Sequence, residues 1–354
     1  MTEKKFFVLV LIITATLFCL PAGVVIIFDP FFFIHKRYAA IGFDGTDRYQ
    51  NAGLINSFLA DPATNIDTVV LGTSMSQNLP VKIFRNAQGA NALKLTLAGG
   101  QPRELAAMAE KAIATGHVKT VVWEIYSSYM YEDPDALHKE VPLPLFLYNR
   151  SLLDNWRYVF NNDVFEEALK IAKGRKRKRK GLEELYTWEN QEAFVKWSSP
   201  ENLEKLHADF GASNLPLTAT PPAGTRQDFL NLEKNLLPVL RNNPDIQFEL
   251  FFPPVSYYAF ARSGNDEFWI QMAMRQKLLD ETRDLKNVRI YGFDFIENGP
   301  ESIKNYMDAS HYNPGISAEI AGMIVQRSHV LTSENHASYV RQLRQRVNEF
   351  ARNF

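Results

Sequence analysis

The stretch Val69-Val70-Leu71-Gly72-Thr73-Ser74-Met75-Ser76-Gln77-Asn78 is an apolar run that stops at a glycine and passes through small hydroxyl residues into polar ones. That pattern describes a buried parallel strand ending in a tight turn. In open α/β sheets ligands bind outside the carboxyl ends of such strands, so a serine in this turn stands at the edge where chemistry is done. Backbone N–H groups gathered in the turn can receive an anion, which suits Ser74 to nucleophilic attack.

Outward from this strand the sequence alternates strand with helix, the signature of a parallel sheet covered on both faces. Apolar strands are expected at 67–72, 92–97, 119–126, 246–252 and 288–293, and helices at 102–116, 226–242, 265–285 and 314–327. Five strands with crossovers predict an α/β fold, a flavodoxin-like, doubly wound, three-layer α/β/α sandwich with a parallel sheet. Glu124 lies in the otherwise apolar run Val121-Val122-Trp123-Glu124-Ile125-Tyr126. A carboxylate is costly to bury unpaired, so it is expected to meet a cation or to sit at the carboxyl edge near the site. Gly99 and Gly100 follow the second strand, where glycines make a turn and leave room for substrate. Arg48 is either a surface ion-pair partner or an anion clamp. Pro253-Pro254 end the fourth strand in a fixed turn and put Tyr257 and Tyr258 at its rim, as groove lining or as packing.

Near the other end of the chain lies Asp308-Ala309-Ser310-His311. An Asp three residues before a His can accept from Nδ1–H within one turn, which fixes the tautomer and leaves Nε2 free to take a proton from a serine hydroxyl. Ser74, His311 and Asp308 are therefore the candidate catalytic group. The turn Gly72-Thr73-Ser74 after the first strand and Asp308-x-x-His311 before the last sheet helix together resemble the SGNH/GDSL hydrolase superfamily, over roughly residues 66–330. Thr73 in place of the usual Asp is similar to the membrane-anchored bacterial branch, the envelope polysaccharide O-acyltransferase and esterase-like proteins. The resemblance implies an SGNH-type sandwich, acyl-serine chemistry without cofactor or metal, and an oxyanion hole built from the N–H groups of Ser74 and Gly100, with Gly99 beside them. The family's Gly-x-Asn-Asp block is missing after the third strand, so Asn78 or Gln77 replaces its Asn, or the hole has two donors.

The 354-residue chain carries a formal net charge of −1, so no global field points to nucleic acid. One cysteine, Cys19, excludes an intramolecular disulfide, and no Cys/His cluster has zinc spacing. An uncharged run from Phe6 to Phe28 is long enough, at about 1.5 Å per residue, to cross a hydrocarbon core of about 30 Å. It reads as an uncleaved membrane anchor, against the competing reading of a signal peptide cleaved near Leu20-Pro21-Ala22-Gly23. Lys4 and Lys5 favour a cytoplasmic N-terminus and an exoplasmic domain, although Lys36 and Arg37 flank the other side. The cluster Phe31-Phe32-Phe33 reads as an interfacial aromatic belt or as a lipid-contacting entrance to the site.

Residues 127–224 break the alternation and read as a helical insertion or lid, rich in aromatics at Trp156, Trp188 and Trp197. Within it Arg175, Lys176, Arg177, Lys178, Arg179 and Lys180 are consecutive cations, either a solvated loop or a contact for anionic head groups or a phosphorylated polymer. The layout is then a tail and anchor at 1–28, a juxtamembrane linker with a short helix at 29–65, the α/β domain at 66–330, and an amphipathic helix at 331–354. That last helix docks on the core, dimerises or lies on a membrane. His329 and His336 read as surface residues. Together these expectations describe a single-pass, membrane-anchored serine esterase or O-acyltransferase facing the periplasm or cell surface. Its substrate would be an acyl ester of an envelope or exported glycan, with an integral-membrane acyl donor as partner. The alternative is a catalytically silent fold of the same type that binds glycan or scaffolds an envelope assembly.

Overall fold

The computed structural model describes residues 2–35, 41–42, 47–85, 89, 91–149, 151–175, 178–179, 181–188, 190–211, 216–297 and 299–354. The five expected strands form as β1 (Ile66–Gly72), β2 (Asn91–Thr96), β3 (Thr120–Glu124), β4 (Gln247–Phe252) and β5 (Val288–Gly292). A two-residue strand β6 (Val330–Leu331), too short to carry a sequence pattern, adds antiparallel to β5. The order across the sheet is β2-β1-β3-β4-β5-β6, with the first five strands parallel. In a 2-1-3-4-5 sheet the direction of winding reverses between β1 and β3, and the crevice outside their carboxyl ends is where ligands bind.

Strand alternation divides the core in two. Val69, Leu71, Leu93, Leu95, Val121 and Trp123 face one side, while Val70, Ala92, Val122, Phe251 and Tyr291 face the other. The helices that cover these faces or flank the site are α1 (Glu3–Phe28), α2 (Asp47–Leu54), α3 (Pro102–Ile113), α4 (Asn162–Ala172), α5 (Tyr257–Thr282), α6 (Pro314–Val325) and α7 (Ser333–Asn353). Leu105, Met108 and Ala112 of α3 close the first face; Ile316, Ile320 and Ile324 of α6 close the second. Two layers of helix around the sheet follow directly. α3 starts where Pro102 occupies the first helical position and Glu104 accepts the Gln101 N–H at 2.9 Å.

Three expectations are corrected. The helix expected at 265–285 starts at Tyr257, because Ser256 caps it by accepting the Ala259 N–H, and it is interrupted at Gly264, whose φ is 77°. Tyr257 is consequently buried, with its hydroxyl donating to Asp294 O, and the cavity it borders is walled by Arg346 and Phe350 of α7 and not by Ser74 or His311. Phe31, Phe32 and Phe33 are buried in the core, so they form no aromatic belt. His336 is not a surface residue: it is 4 % exposed between α5 and α7 and bonds Gln276.

α7 docks through the stripe Val340, Leu343 and Val347 against Tyr257, Tyr258 and Phe268 of α5. Leu343 and Val347 are fully buried, and at about 2 kcal/mol each that burial outweighs leaving the stripe free for another partner. Among the described residues, the chain between β3 and β4 adds no strand to the sheet. α4 packs against α1 instead, through buried Val164 and Ala168 on one side and Ala22 and Val25 on the other. α1 is long and apolar enough to cross a membrane.

Candidate active site

β1 ends at Gly72, and the next residues turn at once into a short 3-10 helix, Ser74–Ser76, capped by the Thr73 side chain. Gly72 is required by what lies behind it. A Cβ there would stand 2.3 Å from Ser76 Oγ and 2.6 Å from Glu124 Oε2. Glu124, at the carboxyl end of the neighbouring β3 and 1 % exposed, accepts the Thr73 N–H at 3.0 Å, the Thr73 hydroxyl at 2.6 Å and the Ser76 hydroxyl at 2.5 Å. Burial pushes its carboxyl up, opposed by these hydrogen bonds and by the nearby His311. The strand glutamate thus meets hydroxyls and an amide rather than the expected cation, and it does so at the sheet edge.

The carbonyls of the turn are held from three further directions. Tyr312 donates to Met75 O at 2.9 Å, Lys94 Nζ to Gln77 O at 2.8 Å, and Trp188 Nε1 to Ser74 O at 3.4 Å. Lys94 is a fully buried lysine of β2. Its signal was present in the sequence, since a cation within Ala92-Leu93-Lys94-Leu95 breaks an apolar strand just as Glu124 does. Trp188 comes from the segment between β3 and β4, and its ring meets the His311 ring edge-on, with centroids 6.0 Å apart. The Trp188 ring therefore stands beside both Ser74 and His311.

Ser74 Oγ lies 2.7 Å from His311 Nε2, and His311 Nδ1 lies 2.7 Å from Asp308 Oδ2. The other carboxylate oxygen, Oδ1, accepts the N–H groups of Ser310 and His311, each at 2.8 Å. The Asp308 carboxyl feels burial, which raises it. The His311 bond and charge and the two backbone donors outweigh that and hold it below the usual carboxylate range. An ionised Asp308 keeps the proton on Nδ1, so Nε2 presents a lone pair to the serine hydroxyl. The three residues are 237 positions apart at the extremes, and the sheet edge brings them together.

The candidate oxyanion donors differ from expectation. The Gly100 N–H is spent on Leu97 O at 2.9 Å, closing the turn after β2, so it is not free to receive an oxyanion. Gly99 sits at the turn's left-handed position, φ 62°, and among the described residues neither its N–H nor that of Ser74 has a partner. Asn78 Oδ1 accepts the Trp188 N–H at 3.0 Å, while its Nδ2 is buried without a partner among the described residues. Arg48 is 5 % exposed, so it is no surface ion pair, and it grips the turn from below. Its guanidinium donates to Ala98 O at 3.0 Å and pairs with Asp47, whose other oxygen accepts the Ala98 N–H. That clamp fixes the peptide beside Gly99 and leaves Arg48 a positioning residue, not an anion clamp.

A cavity of about 320 Å³ adjoins the loop that carries Asp308 and His311, walled by Tyr126, Ser128, Pro253, Glu267, Arg275 and Ser310. Tyr126 Oη stands 3.4 Å from Ser310 Oγ, so the cavity and His311 share one loop. Of the basic run, Arg175 pairs with Glu167 at 2.7 Å, and the Lys178–Arg179 backbone pairs antiparallel with Ile41–Gly42. Lys176, Arg177 and Lys180 lie outside the described residues. Among the described residues no cluster of three or more His, Cys, Asp or Glu side chains could hold a metal. The arrangement is thus a serine, histidine and aspartate in hydrogen-bonded series at the switch point of a mostly parallel α/β sheet. No protein-family model matches the chain, and a search of curated proteins finds no match.

Proposed function

We propose that the protein is a membrane-anchored serine esterase or O-acyltransferase of the SGNH type. The observation that carries this reading is the Ser74–His311–Asp308 series, with both links at 2.7 Å. Ser74 Oγ attacks an acyl ester carbonyl while its proton passes to His311 Nε2. The tetrahedral oxyanion is received by the unengaged N–H groups of Ser74 and Gly99, with Asn78 Nδ2 as a third donor, each worth about 3 kcal/mol. As the C–O bond breaks, His311 returns the proton to the leaving alcohol and an acyl-Ser74 remains. Water, or a hydroxyl of a second substrate, then gives up its proton to His311, attacks the acyl carbon and releases Ser74.

The acceptor favoured here is a hydroxyl of an envelope or exported glycan. The mixed aromatic and polar cavity beside Ser310 supports this, since sugar rings take both stacking and hydrogen bonds. The apolar length of α1 supports a single-pass anchor, with Lys4 and Lys5 on the cytoplasmic side and the catalytic domain outside. An integral-membrane acyl donor is the partner such an anchor would serve.

The test is mass spectrometry after treatment of the detergent-solubilised full chain with a fluorophosphonate. Labelling is expected at Ser74 and is expected to vanish in Ser74→Ala and His311→Ala. No labelling of a folded chain would overturn the catalytic reading in favour of a silent glycan-binding fold.

A further inference from the structure

α1 divides into two parts. Residues 3–20 are exposed on every side, and from Pro21 onward the helix packs on the domain, with Ala22 and Val25 buried. The free apolar part, Phe6 to Leu20, is at about 1.5 Å per residue about 22 Å long, shorter than a hydrocarbon core of about 30 Å. A bilayer around it would therefore reach past Leu20 and Pro21, and the base of the domain would stand at its edge.

An apolar patch lies at the same level. Leu153, Trp156 and Phe160 are 85 %, 61 % and 49 % exposed, on the turn Leu152–Asn155 and the short helix Trp156–Val159 that follows it. The Phe160 ring meets Phe18 of α1 edge-on at 6.3 Å, and Trp156 meets Phe160 at 6.1 Å. The patch is thus continuous with the exposed side chains Leu17, Phe18 and Leu20 of the helix. It is also held in place. Tyr158, between Trp156 and Phe160, turns inward and donates to Asp29 Oδ1 at 2.7 Å, where α1 ends. Exposed Arg157 beside it lies over the Phe146 ring at 4.8 Å, at a level suited to lipid phosphates.

We infer that Leu153, Trp156 and Phe160 form a second membrane contact, a wedge that enters the interfacial zone of the leaflet from which α1 emerges. The inference rests on reading α1 as a membrane anchor. Continuity with the surface of α1 selects lipid as the occupant, because whatever solvates Phe18 also solvates Phe160. Trp, an aromatic with a polar edge, is enriched at this depth, and the buried Phe31–Phe33 cluster leaves that place to Trp156, with Phe160 beside it as an apolar contact. Two contacts fix the tilt of the catalytic domain where one helix would let it swing.

The experiment uses the full chain in phosphatidylcholine–phosphatidylglycerol vesicles, in a Cys19→Ser background carrying either Leu153→Cys or Leu11→Cys, each labelled with the fluorophore NBD. Spin-labelled lipids quench from within the bilayer and iodide quenches from water. The Leu11 probe is expected to be quenched by deep spin labels. The Leu153 probe is expected to be shielded from iodide and quenched about threefold more by shallow spin labels than by deep ones. Adding Trp156→Glu should abolish the lipid quenching at 153 and leave that at 11 unchanged. Quenching at 11 with an iodide-accessible probe at 153 would overturn the wedge and keep the anchor. A probe at 153 shielded from both quenchers would overturn it in favour of a protein partner. Quenching at neither position would overturn the anchor, and the wedge with it.

Discussion

Glu124 Oε2 lies 3.0 Å from the backbone nitrogen of Thr73, and its Oε1 lies 2.6 Å from Thr73 Oγ1, so one side chain of β3 holds both the main chain and the side chain of the residue before Ser74. A Gly-Asp-Ser turn carries its carboxylate within the turn. Here the turn carries Thr73, and the carboxylate stands on the adjacent strand. The two arrangements differ in where rigidity comes from, and that difference can be measured.

Glu124→Gln replaces one acceptor oxygen with an NH2 group, so either the Thr73 hydroxyl must turn from donating to accepting or the Thr73 N–H and the Ser76 hydroxyl lose their shared acceptor. The expected loss of stability is about 2 kcal/mol, the range for hydrogen bonds to a charged group. Displacement of Ser74 relative to His311 should slow fluorophosphonate labelling about a hundredfold per folded molecule. A melting curve and a labelling rate measured on the same sample separate the two. A lower melting temperature with an unchanged labelling rate would show that Glu124 only fills space.

Gly72→Ala tests the same packing from the other side. Its Cβ would meet Ser76 Oγ at 2.3 Å and Glu124 Cβ at 2.7 Å, and neither atom is the end of a flexible chain. Overpacking of this kind costs about 1–3 kcal/mol, and the expected readout is a lowered urea midpoint with slowed labelling. Gly116→Ala is the contrasting case: its added Cβ meets no atom, and the strain comes only from its φ of 78°. That variant should lose about 1 kcal/mol and leave labelling unchanged.

Asp308→Asn isolates the tautomer. Asn Oδ1 keeps the Ser310 and His311 N–H bonds, while Nδ2 faces His311 Nδ1 and forces it to accept. The ring proton then sits on Nε2, where it cannot take the Ser74 proton. Labelling should fall about 10⁴-fold with little change in melting temperature. A fall of less than about tenfold would mean that Asp308 is not what orients His311.

The elements legible in the sequence are those whose information is local. β1 and its turn announced themselves through an apolar run ending at Gly72, and Asp308 and His311 through a spacing that fits one turn. The expected ends of β1 and β5 lie within one residue of those observed. Peptide orientation was not legible. Whether Gly99 or Gly100 keeps a free N–H depends on the left-handed φ of Gly99 and on Leu97 O capturing the later amide. Nor could spacing place Tyr257, since Ser256 starts α5 earlier than its apolar periodicity does. Lys94 and Trp188 reach the turn from distant parts of the chain, and only the sheet order and the long β3 to β4 connection bring them there.

His336 carries a prediction for acid stability. Its Nδ1–H donates to Gln276 Oε1 at 2.7 Å, while its Nε2 is buried without a partner among the described residues. Burial first, and then the charge of Arg275, push the imidazole down from 6.5 to about 4, against the pull of Asp280. Between those values the unfolded chain binds a proton that the folded one refuses, so stability falls as pH falls from 6.5 towards 4 and levels off below. At pH 4.5 the loss from this group is about 2.5 kcal/mol relative to pH 7. His336→Gln has no such proton to bind, so its unfolding free energy should drop by about 2.5 kcal/mol less than that of the wild type over the same interval. Urea unfolding at pH 7 and pH 4.5 measures both. Equal drops in the two proteins would show that protonation of His336 does not oppose the docking of α7 on α5, and would leave the acid sensitivity to the carboxylates.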